Sequence, residues 1–460
     1  MPHVKQLGRR VCVAIVAATL SVSPAVSQQL QLTAGQVQQI ALAALQQGDA
    51  RVAAQAANAL LVRDPQNAGA LILRTEAALL AEDFTGAVDF GSRAHWNAAT
   101  ANQRFSAARL VAFAHVEQEN YTRSQAWLRL ARQDAPNDQA REAVARDFRA
   151  VRSRNPLSVN LRFGITPSTN VNNGSSSETT DLFDLGLPFV LNGDARALSG
   201  WEASASANLR YRAHTNETSA TFLDLGFSGR TYWLTENAKD QAGEGVTGGD
   251  FSNATLSLGA THRFLLSPDM QPTSATLSFG QSWYGGDANA RFVTASASQS
   301  WKLSDVDTIL LSGFAQKQTS LEDSDPVMTY NLQTVWARDL ADYGNLAVSF
   351  AVRDSQSNNR DADYDSARVG INYDFPEPLF GVQIGTTFSY EARDFETSRF
   401  SPLFGRDETI KSASVRAVFT DIEYLGFQPV VNIERTVQES SIDLFDREFT
   451  NFGFDITSSF

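Results

Sequence analysis

Two hydrophobic periods divide the chain. Between Leu32 and Ala150 apolar residues recur at helical spacing, and Pro65 and Pro136 fall between predicted helices. After Asn155-Pro156 strict alternation takes over. In the last segment Phe452, Phe454, Ile456 and Phe460 share one face, while Asn451, Gly453, Asp455, Thr457 and Ser459 share the other. Side chains alternate sides along a strand, so one face asks for apolar surroundings and the other for water. Fourteen such segments can be placed, centred near residues 161, 207, 225, 259, 279, 296, 312, 332, 349, 370, 386, 415, 430 and 455. Each is about as long as a tilted strand crossing the hydrocarbon layer, which takes about 9 to 11 residues. Short links follow the second, sixth, tenth and twelfth segments, and mostly longer ones follow the odd segments, beginning with Pro167 to Gly200. Tight turns on one side, longer loops on the other and an even strand number predict a 14-stranded antiparallel transmembrane β-barrel with both termini in the periplasm.

The helical part predicts an internal repeat. Ala53, Ala87 and Ala126 each sit near the start of a second helix, after the polar turns Gly48-Asp49, Glu82-Asp83-Phe84 and Glu119-Asn120-Tyr121. Phe84 and Tyr121 recur at one turn position. Two helices with their turns fill about 34 residues in a tetratricopeptide unit, and small residues are needed where its helices cross. The fold class is therefore multidomain: all-α tetratricopeptide-like (TPR-like) repeats, then the barrel. Repeats of this kind bind polypeptide in a concave groove. Arg141, Arg146, Arg149, Arg152 and Arg154 crowd the last helix, as a solvated face or as a basic collar.

The first residues read as a leader. Lys5, Arg9 and Arg10 precede the apolar run Val11 to Leu20, and Ala25 and Ser27 make a small-x-small cleavage site. The expected organisation is a signal peptide over 1–27, a periplasmic helical domain over 28–155 and an outer-membrane barrel over 156–460.

Composition narrows the chemistry. With 38 Lys and Arg against 51 Asp and Glu, the net charge of -13 excludes nucleic-acid binding through a broad basic surface. Cys12 is the one cysteine and lies in the leader, so a mature chain has no thiolate nucleophile or disulfide. Histidines 3, 95, 115, 214 and 262 lack metal-ligand spacing, and no nucleophile elbow, Walker or dinucleotide motif occurs. No cofactor and no catalytic residues are expected. Arg162, Arg353 and Arg368 fall on polar strand faces, where they would meet a solute or client in the lumen. Phe183, Leu185, Leu187, Phe189 and Leu191 alternate inside the first long link, but Pro188 interrupts them, and one extra strand would break the parity of every later turn. This stretch reads as an apolar loop, packed over the mouth or serving as a plug or client contact.

The signal peptide, TPR module and fourteen-stranded barrel, together with Phe163-Gly164-Ile165-Thr166-Pro167-Ser168-Thr169-Asn170-Val171-Asn172-Asn173, resemble the surface lipoprotein assembly modulator (Slam, type XI secretion) family. The Asn-rich segment, with Asn170, Asn172 and Asn173 as candidate client contacts, is similar to that after the family's first barrel strand. The terminal strand with Phe452, Phe454, Ile456 and Phe460 resembles the signal read by the barrel assembly machinery. The resemblance implies an outer-membrane translocator delivering lipoproteins or related secreted proteins to the cell surface, with that client, the barrel assembly machinery and outer-membrane lipid as partners. A passive porin and a polysaccharide exporter with a periplasmic TPR interaction domain are the competing readings.

Overall fold

The computed structural model describes residues 32–183, 185–322 and 325–458. The expected leader, 1–27, and Phe460 lie outside them. Seven helices come first: α1 (Ala34–Gln46), α2 (Ala50–Arg63), α3 (Ala68–Leu80), α4 (Phe84–Asn97), α5 (Ala101–Glu117), α6 (Tyr121–Gln133) and α7 (Asp138–Arg154). Three helix pairs and a closing helix stack as repeats. Each pair turns in the same way. Gly48, Glu82 and Glu119 take left-handed φ values of 78°, 57° and 60°. The next N–H then reaches back to the carbonyl five residues earlier, Asp49 to Ala44, Asp83 to Ala78 and Asn120 to His115, closing the helix end. Asp49 and Asp83 also cap the following helix, accepting from Val52 and Gly86 N–H.

Ala53 and Ala87 are fully buried at the helix crossings. In the third pair that place belongs to Ser124, whose hydroxyl donates to Ala112 O at 2.9 Å, whereas Ala126 is exposed. The alanine match is corrected here by two positions: a serine fits the same narrow crossing once its hydroxyl is satisfied. Phe84 and Tyr121 each open their helix half-buried, and Tyr121 packs on the core of Ala112, Leu128, Val144 and Phe148.

The barrel comprises β1 (Leu157–Ser168), β4 (Gly200–Thr215), β5 (Ser219–Leu234), β6 (Asn253–Phe264), β7 (Thr273–Tyr284), β8 (Asp287–Lys302), β9 (Asp307–Ser320), β10 (Pro326–Asp339), β11 (Asn345–Ser357), β12 (Tyr364–Asp374), β13 (Val382–Phe395), β14 (Arg406–Phe419), β15 (Phe427–Ser440) and β16 (Arg447–Ser458). Each strand contains one of the fourteen expected centres. All neighbours are antiparallel, and β16 returns to β1 to close the barrel. The apolar stretch of the first loop stays outside it as a two-stranded piece, β2 (Thr179–Asp181) with β3 (Pro188–Val190).

Side-chain parity sorts the wall into two surfaces. Leu161, Phe163, Leu223, Leu225, Leu258, Phe279, Phe350 and Phe388 stand exposed on the outside, as a lipid-facing belt requires. Trp201 and Trp233 pair at the outer rim, and Trp301 and Trp336 mark the inner one, placed as interfacial girdles. Inward positions are polar and bonded to each other: Arg210 Nε donates to Asp224 at 2.5 Å, and Thr261 donates to the same carboxylate at 2.6 Å. No described helix is long and apolar enough to cross a membrane.

The loops are less asymmetric than the sequence suggests. The first two outer loops, 169–199 and 235–252, are long, and the second carries helix α8 (Glu236–Ala242); the third is only the turn Gly285-Gly286. Both glycines have positive φ, 58° and 94°, as a two-residue hairpin requires. The inner link 265–272 is longer than that outer turn.

Candidate functional site

The wall is unequal at one place. β1 pairs with β4 along its whole length, Leu157 with Tyr211 through Ser168 with Gly200. Its ladder to β16 is registered at Ile165 with Phe454 and at Ser168 with Asn451. Continuing that register would set Leu161–Gly164 against Asp455–Ser458, and no ladder pairs form there among the described residues. Among the described residues the seam is thus registered at two positions, both toward its outer end, and at none toward the periplasm. Unpaired strand backbone in a membrane is costly, because hydrocarbon offers no hydrogen bonds.

The helical domain is fastened on both sides of this seam. On one side α6 meets the turn between β14 and β15. Arg132 grips Glu423 with two hydrogen bonds, Nε to Oε1 at 2.5 Å and Nη2 to Oε2 at 2.7 Å, with both side chains largely shielded. Arg129 donates to Leu425 O and Gly426 O, at 3.1 and 3.2 Å, while its guanidinium packs on the Phe427 and Phe148 rings. Gln133 accepts the Leu425 N–H at 2.9 Å. Burial, and then repulsion from Arg152, lowers the Arg129 pKa, and Glu423 opposes the shift. On the other side Arg212 of β4 donates to Ser153 O and Arg154 O, both at 3.0 Å, which ties the end of α7 to the barrel. β16 lies between the two fastenings. Sequence reasoning missed Arg129, Arg132 and Glu423, which meet across about 290 residues, and Arg212, which meets Ser153 across 59; none of them lies in a motif.

The concave face of the helices forms a groove of about 560 Å³. Phe105, Leu110 and Phe113 provide apolar surface, and Arg109, Asp147 and Arg154 provide charge. Glu76 also lines it, and burial raises its pKa. Of the basic residues noted on α7, Arg141 and Arg146 pair with Asp138 and Glu142 on the same helix.

Arg162, Arg353 and Arg368 all point into the lumen. Arg353 reaches Tyr364 Oη at 3.3 Å and Arg368 reaches Ser389 Oγ at 3.0 Å, while Arg162 stands open. The structure brings Arg353 and Arg368 within two register positions of each other on the paired strands β11 and β12 and leaves Arg162 apart on β1. The asparagines serve the first loop itself. Asn170 and Gly174 exchange two hydrogen bonds, and Asn172 binds Asp194 O, Arg196 O and the Leu198 N–H. Asn173 takes the left-handed bend at φ 55°. So pinned, the loop crosses the mouth: Ser176 N–H bonds Asp446 O, Phe183 N–H bonds Phe400 O and Leu444 N–H bonds Thr180 Oγ1. Beneath it Arg406 is sandwiched between Phe395 and Phe445, each 3.7 Å from its ring centre, and pairs with Asp361 and Glu408. The apolar loop is a cap built from outer-loop contacts. Phe452, Phe454 and Ile456 face lipid on the last strand.

Residues 158–460, essentially the whole barrel, match the family described as surface lipoprotein assembly modifier. The chain belongs to that family. As a surface lipoprotein assembly modifier it is an outer-membrane β-barrel, and the family implies a lipoprotein client. Solved barrels resemble it only in fold: the loop-deleted OmpT of Vibrio cholerae, 11% identical with a TM-score of 0.32, covers 66% of this chain and 99% of its own. OccAB3 of Acinetobacter baumannii, 8% identical with a TM-score of 0.35, covers 65% and 98%. The KdgM porin, 16% identical with a TM-score of 0.25, covers 46% and 94%. No curated protein matches the chain. Among the described residues no group of three His, Cys, Asp or Glu side chains is placed to hold a metal.

Proposed function

We propose that this surface lipoprotein assembly modifier translocates a lipid-anchored protein from the periplasm to the cell surface, with the helical groove receiving the client and the β1–β16 seam providing the path. The observation that carries this reading is the fastening of the helical domain to both sides of an incompletely paired seam. A client bound in the groove of Phe105 and Phe113 is thereby held at the periplasmic end of the barrel. A displacement of α6 would pull on the β14–β15 turn through Arg132 and Glu423, while α7 stays anchored to β4 through Arg212. Strain between those points falls on the weakest ladder. Opening that ladder joins the polar lumen to the lipid phase, which is the passage a polar chain attached to a lipid requires. The work is conformational, and no side chain need make or break a covalent bond.

The mature protein is proposed to begin near Gln28, after the leader is removed, with its helical domain in the periplasm. Protease shaving of intact cells with and without the gene tests the function. Loss of one or a few lipid-anchored proteins from the surface, with the same proteins retained inside, is the expected result. An unchanged surface accompanied by altered small-solute uptake would favour a porin and overturn the proposal.

A further inference from the structure

A groove of about 870 Å³ lies on the outer face beside the seam, at the point where the β1–β16 ladder stops. Outward Ala203, Ala205, Gly229 and Ala254 make a shallow base. Phe163, Ile165, Phe454 and Ile456 stand along its seam side. The Phe227 ring leans over Gly229, with Cζ 3.3 Å from where a Cβ would sit, so a larger residue there would displace it. From the seam the groove crosses β4, β5 and β6 to Trp283 and Gly286, which belongs to the shortest outer turn. Gly164 and Asp455 also line it, although both sit on the lumen side of their strands. The groove thus touches the lipid phase and the unpaired stretch of the seam together.

An acylated polypeptide makes opposite demands at its two ends. Its acyl chains are held in hydrocarbon by their buried methylenes, whereas its glyceryl-cysteine and backbone need hydrogen-bonding groups. A site for it must place an apolar trough directly beside a polar opening. Among the described surfaces, this groove is continuous with the incompletely paired seam. We propose that it binds the acyl chains of the lipid-anchored client while the attached polar chain passes the seam. This inference rests on the translocator reading and adds the ligand class and its location.

The test uses the full-length protein in vesicles of phosphatidylethanolamine and lipopolysaccharide. The probe is a dipalmitoylglyceryl-cysteinyl peptide carrying a diazirine in one acyl chain. Mass spectrometry of the photo-adducts should find labelling on β1, β4 and β16 several-fold above that on β9 to β12. Unlabelled lipopeptide should compete and added phospholipid should not. Ala205→Trp should suppress the labelling, while Ala315→Trp, outward on β9 across the barrel, should leave it unchanged. Even labelling around the belt, equal competition by phospholipid, or full labelling of the Ala205→Trp protein would overturn the site. Surface display, scored separately by shaving, keeps the two ideas apart: intact display with even labelling removes the groove and leaves the translocator. Seam labelling by a protein whose loss changes no surface lipoprotein removes the translocator and leaves a lipopeptide site.

Discussion

Removing either partner of the Arg132–Glu423 pair should loosen the helical domain's hold on one side of the seam. The two hydrogen bonds, at 2.5 and 2.7 Å, are charge-assisted, and the side chains are 16% and 22% exposed. A surface ion pair would contribute under about 1 kcal/mol. Shielding and bidentate geometry raise the expected coupling to about 2 kcal/mol, within the range for hydrogen bonds to charged groups. That is a change of roughly thirtyfold in the ratio of docked to undocked helical domain, at about 1.4 kcal/mol per decade. The assay is a double-mutant cycle with Arg132→Ala, Glu423→Ala and both, read from spin-label distances between exposed Glu117 and Glu377 in the full-length protein. Each single variant should populate a second, longer distance, and the double should add little to either. The exchange Arg132→Glu with Glu423→Arg should restore part of the docked population. Strictly additive effects, or an unchanged distance in Glu423→Ala, would refute the clamp.

Other expectations follow from single contacts. A Cβ on Gly91 would lie 2.4 Å from Val111 Cγ2, so Gly91→Ala should cost about 1 kcal/mol net, overpacking exceeding the helix-propensity gain; the melting temperature of the helical domain should fall, and Val111→Ala should restore it. His115 is buried, and desolvation first, then Arg123, lowers its pKa against a hydrogen bond that Gln118 accepts from the ring. Because the folded state disfavours its proton, the stability tied to neutral His115 is complete above the unfolded value near 6.5 and is lost as pH falls through the lowered folded value. Amide exchange in α5 should therefore quicken as pH drops through that window, after correction for intrinsic rates, and His115→Gln should flatten the dependence. Asn172→Ala removes four hydrogen bonds to loop backbone; proteases should then cut within residues 169–199 of intact cells, whereas a residue serving only a client would leave that loop resistant.

The barrel was legible because one physical constraint repeats in every strand. Lipid on one side and water on the other force a period of two, so Leu346, Val348, Phe350 and Val352 locate β11 with no knowledge of its partners. Loop lengths were less informative, since the turn Gly285-Gly286 obeys hairpin geometry rather than membrane sidedness. In the repeats Ala53 and Ala87 are buried at the crossings while Ser124 is buried in place of Ala126, because the crossing needs small volume, which serine also supplies. The seam and its fastenings left no local trace. Arg132 and Glu423 are ordinary surface charges until folding joins them, and the missing ladder pairs depend on how the last strand meets the first. The asparagines after β1 stood out in sequence as candidate contacts. Their geometry assigns them to holding the first loop.

The most direct test of the account is to lock the seam. Ile165 and Phe454 are ladder partners with side chains on the same outer face, and the one native cysteine, Cys12, falls in the proposed leader, so Ile165→Cys with Phe454→Cys introduces a cysteine pair without competitors once that leader is removed. The measurement is arrival of the lipid-anchored client at the surface of cells carrying this protein, oxidised and then reduced, beside a control bond between Leu258→Cys and Phe279→Cys on β6 and β7. The account predicts that oxidation stops display only in the seam variant and that reduction restores it. Undiminished display through a seam shown to be fully disulfide-bonded would contradict it.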